Sequence, residues 1–110
     1  MFISLDVETT GFDAESDKII EFGAVKFKGE KIIDTLQIFI NPEREIPEII
    51  THITGITEAD TANAQTFEDV KEEIAKFIGK TPIIGHNINF DIGFLQKGGL
   101  EIENKLYDTC

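Results

Sequence analysis

The chain has 110 residues, 41% of them hydrophobic with nine Phe, and a net charge of −11. That length holds one small domain with a real core, no apolar run is long enough to cross a bilayer, and the first residues lack the basic segment of a secretory signal. The acidic balance argues against general affinity for a polyanion, because phosphate binding usually rests on Lys and Arg, unless bound divalent ions reverse the local field.

Phe2 to Glu8 alternates as a strand, with Ile3, Leu5 and Val7 on one face and Phe2, Ser4, Asp6 and Glu8 on the other. Thr9 to Lys18 is polar, contains Gly11 and reads as a loop. Lys18 to Lys28 and Lys31 to Ile40 read as two further strands, joined by a Gly29-Glu30 hairpin turn with Gly at its first central position. Asn41-Pro42 ends the meander. Glu43 to Ala62 is irregular or short-helical, with Pro47 suited to a first helical position, Gly55 to a stop, and Thr57 and Asp60 spaced as a capping box. Phe67, Val70, Ile74, Phe77 and Ile78 share one helical face, with Thr66 placed to cap the start and Gly79 the end. Thr81 to Gly85 is a short buried strand. A helix capped by Asn87 or Asn89 then runs to about Lys97 and stops at Gly98-Gly99, and Leu100 to Tyr107 begins a fifth strand. The pattern is α/β with a mixed sheet. The single Cys110 has no partner for an internal disulfide, which suits a reducing, cytoplasmic setting.

Chemistry concentrates in two segments, Asp6-Val7-Glu8-Thr9-Thr10-Gly11 and Gly85-His86-Asn87-Ile88-Asn89-Phe90-Asp91. Residues two apart on a strand share a face, so the Asp6 and Glu8 carboxylates lie about 7 Å apart along it. Asp91, delivered from the start of a helix, is a third candidate ligand. Three hard oxygen donors suit Mg²⁺ or Mn²⁺, and paired ions of that kind serve phosphoryl transfer. Plainer readings stand beside this one. Asp6 and Glu8 also fit the wet face of an edge strand, and Asp91 fits a first helical turn, where the dipole favours acids. His86 reads as a strand-end residue more than a ligand, and His52 as a loop or short-helix residue. Glu21 shares a face with Gly23, Val25 and Phe27; it either bonds loop backbone near the site or lies exposed at a strand end. Phe12 and Phe90 fit core packing as well as base stacking, and Ile56 fits either a wedge against a nucleobase or loop packing.

Taken in order, the whole chain resembles the N-terminal two thirds of a DnaQ-like 3′–5′ exonuclease, of the DEDD superfamily with the ribonuclease H-like fold. Asp6 to Gly11 resembles the family's first motif, Ile20-Glu21-Phe22-Gly23-Ala24-Val25 its second strand, Thr54-Gly55-Ile56-Thr57 its connecting loop, Gly85 to Asp91 its second motif, and Tyr107-Asp108-Thr109 the strand before its next helix. The resemblance implies a ribonuclease H-like mixed sheet: three antiparallel strands, then helix-strand-helix-strand. It implies two-metal hydrolysis of the 3′-terminal phosphodiester of single-stranded DNA or RNA, with two Mg²⁺ or Mn²⁺ held by Asp6, Glu8 and Asp91. Thr9, Thr10, Gly11, Phe12, Ile56, Asn87 and Phe90 would then contact the terminal nucleotide or shape its pocket. The implied setting is DNA proofreading or repair, of the DNA polymerase III epsilon type, with a polymerase or helicase as partner.

The family's third motif, a His or Tyr followed by an Asp on a C-terminal helix, has no match here. The His is the general base and the Asp the fourth carboxylate. Residues 1–110 are therefore expected to be the N-terminal portion of one exonuclease domain, lacking its C-terminal helices and nearly inactive alone. The alternative is a non-catalytic module that binds a nucleic-acid end or a partner.

Overall fold

The computed structural model describes residues 1–109; Cys110, and with it the reading of its thiol, lies outside them. The elements run β1 (Phe2–Thr9), β2 (Ile19–Lys28), β3 (Lys31–Phe39), α1 (Glu48–Thr54), α2 (Glu58–Thr61), α3 (Phe67–Ile78), β4 (Ile83–Gly85), α4 (Ile88–Lys97) and β5 (Leu106–Asp108). They form a five-stranded mixed sheet in the order β3-β2-β1-β4-β5. β1 pairs antiparallel with β2 and parallel with β4, and β5 pairs parallel with β4. This is the ribonuclease H-like α/β architecture. Among the described residues no helix is long and apolar enough to cross a membrane.

The alternation along β1 decides which face is buried. Ile3, Leu5 and Val7 join Phe22, Ala24 and Ile83 under Val70, Ile74 and Ile78 of α3 and Ile88, Ile92 and Leu95 of α4. The opposite face carries Phe2, Ser4, Asp6 and Glu8, in register with Phe27, Val25, Gly23 and Glu21 of β2. Glu21 therefore stands on the face of Asp6 and Glu8, directly across from Glu8, and accepts a hydrogen bond from Gln37 Nε2. At the far end of that face Phe2 stacks on Phe27 at 6.0 Å and meets Tyr107 edge-on at 5.6 Å.

Local signals set most boundaries. Gly29 takes a positive φ in the hairpin turn, and Gly55 closes α1 in the left-handed region. Thr57 with Asp60, and Thr66 with Asp69, form full capping boxes. Pro47 sits one residue before its expected place: it is the N-cap of α1, with extended ψ. The fifth strand is shorter than expected, because only Leu106–Asp108 pairs with β4. Ile56 packs with Ile20, Ile46 and Ile50 in a satellite cluster and is 5% exposed. Its side chain therefore contributes to packing.

Candidate active site

β1 sits where the sheet changes from antiparallel to parallel, and the site forms where β1 and β4 part. Ile3 N–H donates to Pro82 O at 2.9 Å, and the ladder pairs only Ile3 with Ile83 and Ser4 with Ile84. After Gly85 the chain turns into α4, leaving the N–H of Val7 beyond the reach of β4. Asp91, in the first turn of α4, supplies the missing acceptor: its Oδ2 takes the Val7 N–H at 3.0 Å. The crevice beyond the carboxyl ends of strands at such a switch point is where open α/β sheets bind ligands.

Asp91 is 4% exposed. Burial pushes its carboxyl up to about 7, against the lowering effect of the Val7 N–H. The negative charges of Asp6 and Glu8 raise it further, and Asp6 also accepts a hydrogen bond from its protonated form. The pull of a helix N-terminus is thus outweighed, and Asp91 is no ordinary first-turn acid. Glu8 is also raised, by burial first and then by Asp6 and Glu21. A hollow of about 400 Å³ extends from Asp6 past Glu21, Gly23 and Val25 to Gln37.

The turn after β1 is bonded to itself. Thr9 Oγ1 donates to Gly11 O, Thr10 Oγ1 donates to Asp17 Oδ1, and Thr10 N–H donates to Lys18 O. Thr9 and Thr10 are both buried, and their hydroxyls bond within the turn. Phe12 is the opposite case: it is 79% exposed, which excludes the core reading, and its ring lies 6.4 Å from that of Phe90. Phe90 in turn leans on buried Phe94 at 5.0 Å. Asn87 occupies the N-cap of α4 in a left-handed conformation, φ 52°, and its side chain makes no capping bond, contrary to the expected role. Its N–H instead donates to Asp108 Oδ1 at 3.0 Å. Asp108 therefore ties β5 to the start of α4, a role that no spacing in the sequence signals. His52 and His86 are exposed.

The donor chemistry fits a hard divalent cation: carboxylate oxygens only, with repulsion that a cation would relieve. The geometry is looser than the chemistry. Among the described residues no three His, Cys, Asp or Glu side chains stand close enough together to hold a metal ion as they lie. Asp6 and Asp91 are close enough to share a hydrogen bond, and Glu8 stands directly across from Glu21 on β2.

Residues 3–106 match the sequence pattern of the RNase T exonuclease family. The chain is 41% identical over 112 residues to the DNA polymerase III PolC-type of Caldanaerobacter subterraneus subsp. tengcongensis, and 42% identical over 113 residues to that of Thermotoga maritima. Each alignment covers 98% of this chain and 8% of the polymerase, so the chain spans under a tenth of the length of these relatives. In three dimensions it is similar to exonuclease X in complex with 5′ overhanging duplex DNA, with a TM-score of 0.80 and 28% identity over 99% of this chain and 60% of that one.

Proposed function

Since the chain belongs to this exonuclease family, we propose that it is the N-terminal portion of a metal-dependent 3′–5′ exonuclease domain acting on single-stranded nucleic acid. The observation that carries this reading is the Asp91 carboxylate, buried beside Asp6 and pinned to the Val7 N–H. DNA proofreading or repair is the proposed setting, in the cytoplasm and with a DNA polymerase as partner. Similarity to PolC-type polymerases supports that setting.

In this mechanism Asp6 and Asp91 would hold the divalent ions, and Glu8, on the same face of β1 as Asp6, would complete the donor set. When bound, Mg²⁺ or Mn²⁺ supplies water activation and stabilisation of the leaving 3′ oxygen. Val7 N–H fixes Asp91 in orientation, so its carboxylate is presented to the crevice without a search over rotamers. Asp108 holds the Asn87 turn from which α4 starts. Phe12 and Phe90 offer aromatic surface to the terminal nucleobase, while Asn87 and Gly11 border the approach.

Release of mononucleotides from the 3′ end of a single-stranded oligonucleotide in Mg²⁺, by a protein extended at the C-terminus, tests the reading. A folded extended protein with no such release sinks it, and Asp6→Ala is the control that must abolish release. The second reading, a module that binds an end without cleaving it, draws on the finding that among the described residues no three His, Cys, Asp or Glu side chains group closely enough to hold a metal ion. Residues 1–110 alone are then expected to turn over very little, and substantial turnover abolished by Asp6→Ala rules that reading out.

A further inference from the structure

Asp17 lies outside the carboxylate site, yet it organises the turn that follows β1. Its Oδ1 accepts the Thr10 hydroxyl at 3.0 Å and Arg44 Nη1 at 3.1 Å, and its Oδ2 accepts the Asp13 N–H at 3.1 Å. The Thr10 hydroxyl in turn accepts the Lys18 N–H at 3.0 Å, and Arg44 also donates to Ser16 O at 3.3 Å. One carboxylate thereby joins both ends of the turn and anchors it to the segment after β3. Gly11 records the same arrangement. It has no positive φ, so its backbone does not require glycine. A Cβ there would instead collide with the Asp17 carboxylate.

Phe12 stands between Gly11, against which this carboxylate closely packs, and Asp13, whose N–H it accepts. An aromatic ring 79% exposed has little packing of its own to hold it; its direction is set by the backbone on either side. That backbone brings it to Phe90, next to Asp91. We propose that Asp17, tethered by Arg44, is a positioning residue that aims Phe12 at the 3′-terminal nucleobase. This rests on the exonuclease reading above. It adds a specific consequence: Asp17 acts only on ligands that carry a terminal base to stack.

The test is fluorescence anisotropy of the 110-residue chain with two labelled single-stranded DNA octamers in Ca²⁺, one ending in a normal 3′ nucleotide and one in an abasic residue. Wild-type protein binds the base-ended octamer more tightly, and Phe12→Ala removes the difference, by about tenfold if the stack has ordinary strength. Asp17→Ala weakens the base-ended octamer by about fivefold and the abasic one less than about twofold, since loss of aim forfeits part of the stack. Gly11→Ala has the same selective effect, and the double variant Gly11→Ala/Asp17→Ala is no weaker than either single one, because the collision disappears with the carboxylate. If Asp17→Ala does not fold, Arg44→Ala, at the exposed end of the network, gives the same base-selective loss in smaller measure. Equal losses on both octamers, or no loss, in a wild-type background that does prefer the base-ended octamer, overturn the proposal alone. A wild-type chain that binds neither octamer, or does not distinguish them, overturns the terminal-nucleotide reading, and the positioning role falls with it.

Discussion

Asp91→Asn should stabilise the metal-free protein at neutral and alkaline pH. Asparagine keeps a side-chain oxygen for the Val7 N–H while removing the charge that burial and Asp6 oppose. A carboxyl raised from 3.8 to about 7 holds its proton more tightly in the folded than in the unfolded chain. Its contribution to stability is therefore complete below pH 3.8, declines as pH rises, and is lost above about 7. That interval, at about 1.4 kcal/mol per pH unit, corresponds to an upper limit of about 4 kcal/mol. Urea unfolding followed by circular dichroism in EDTA, at pH 4, 6 and 8, measures it. The variant and wild type should be nearly equal at pH 4, and the variant should gain with each step, to a few kcal/mol at pH 8. A variant no more stable than wild type at pH 8, or a difference independent of pH, refutes the reasoning, because Asp91 would then not be paying for its burial in charge repulsion.

Mg²⁺ affinity of wild-type protein, followed by calorimetry, should rise with pH up to about 7 and level off above it, since cation binding must displace the Asp91 proton; Asp91→Asn should remove that dependence. Asp6→Asn should lower the pH at which Asp91 titrates, read from side-chain carboxyl carbon shifts, because it removes a neighbouring negative charge and leaves only a neutral, weaker acceptor for the Asp91 proton. Gly85→Ala should cost about 1–3 kcal/mol in thermal unfolding, since the added Cβ would meet Ile88 Cδ1 at 2.7 Å and Leu5 O at 3.2 Å. Thr66→Ala should cost about 1 kcal/mol in urea unfolding through loss of the α3 capping box.

The legible features were those written in short spans. Strict alternation from Phe2 to Glu8 gave the buried face of β1, and the 3.6-residue spacing of Val70, Ile74 and Ile78 gave the buried face of α3. What stayed hidden depends on partners far away in the chain. Val7 and Asp91 are 84 residues apart, and no local pattern says that a backbone N–H will need that carboxylate. Asn87 has a good N-cap side chain, but its N–H is taken by Asp108 and its backbone is left-handed, so the usual capping geometry is not reached. Thr10 reads as a polar loop residue until Asp17 folds back over it and buries it. Phe12 reads as core by residue type alone; its exposure follows from a turn that closes on Asp17 and leaves it outside.

The position of Asp91 also bears on how so acidic a chain can serve a polyanionic substrate. A net charge of −11 opposes the approach of a phosphate chain at long range. Within the crevice, however, repulsion is arranged unevenly. One carboxyl is buried against a single backbone donor, with two more negative groups close enough to raise it. A surface acid would have relaxed by turning into water, but Asp91 is held by Val7 on one side and by the first turn of α4 on the other. The remaining routes to relief are a proton or a cation. The parting of β1 from β4 thus does more than open a crevice: it exposes the one N–H that makes burial of the acid tolerable, and leaves the rest of the cost for an incoming positive charge to offset.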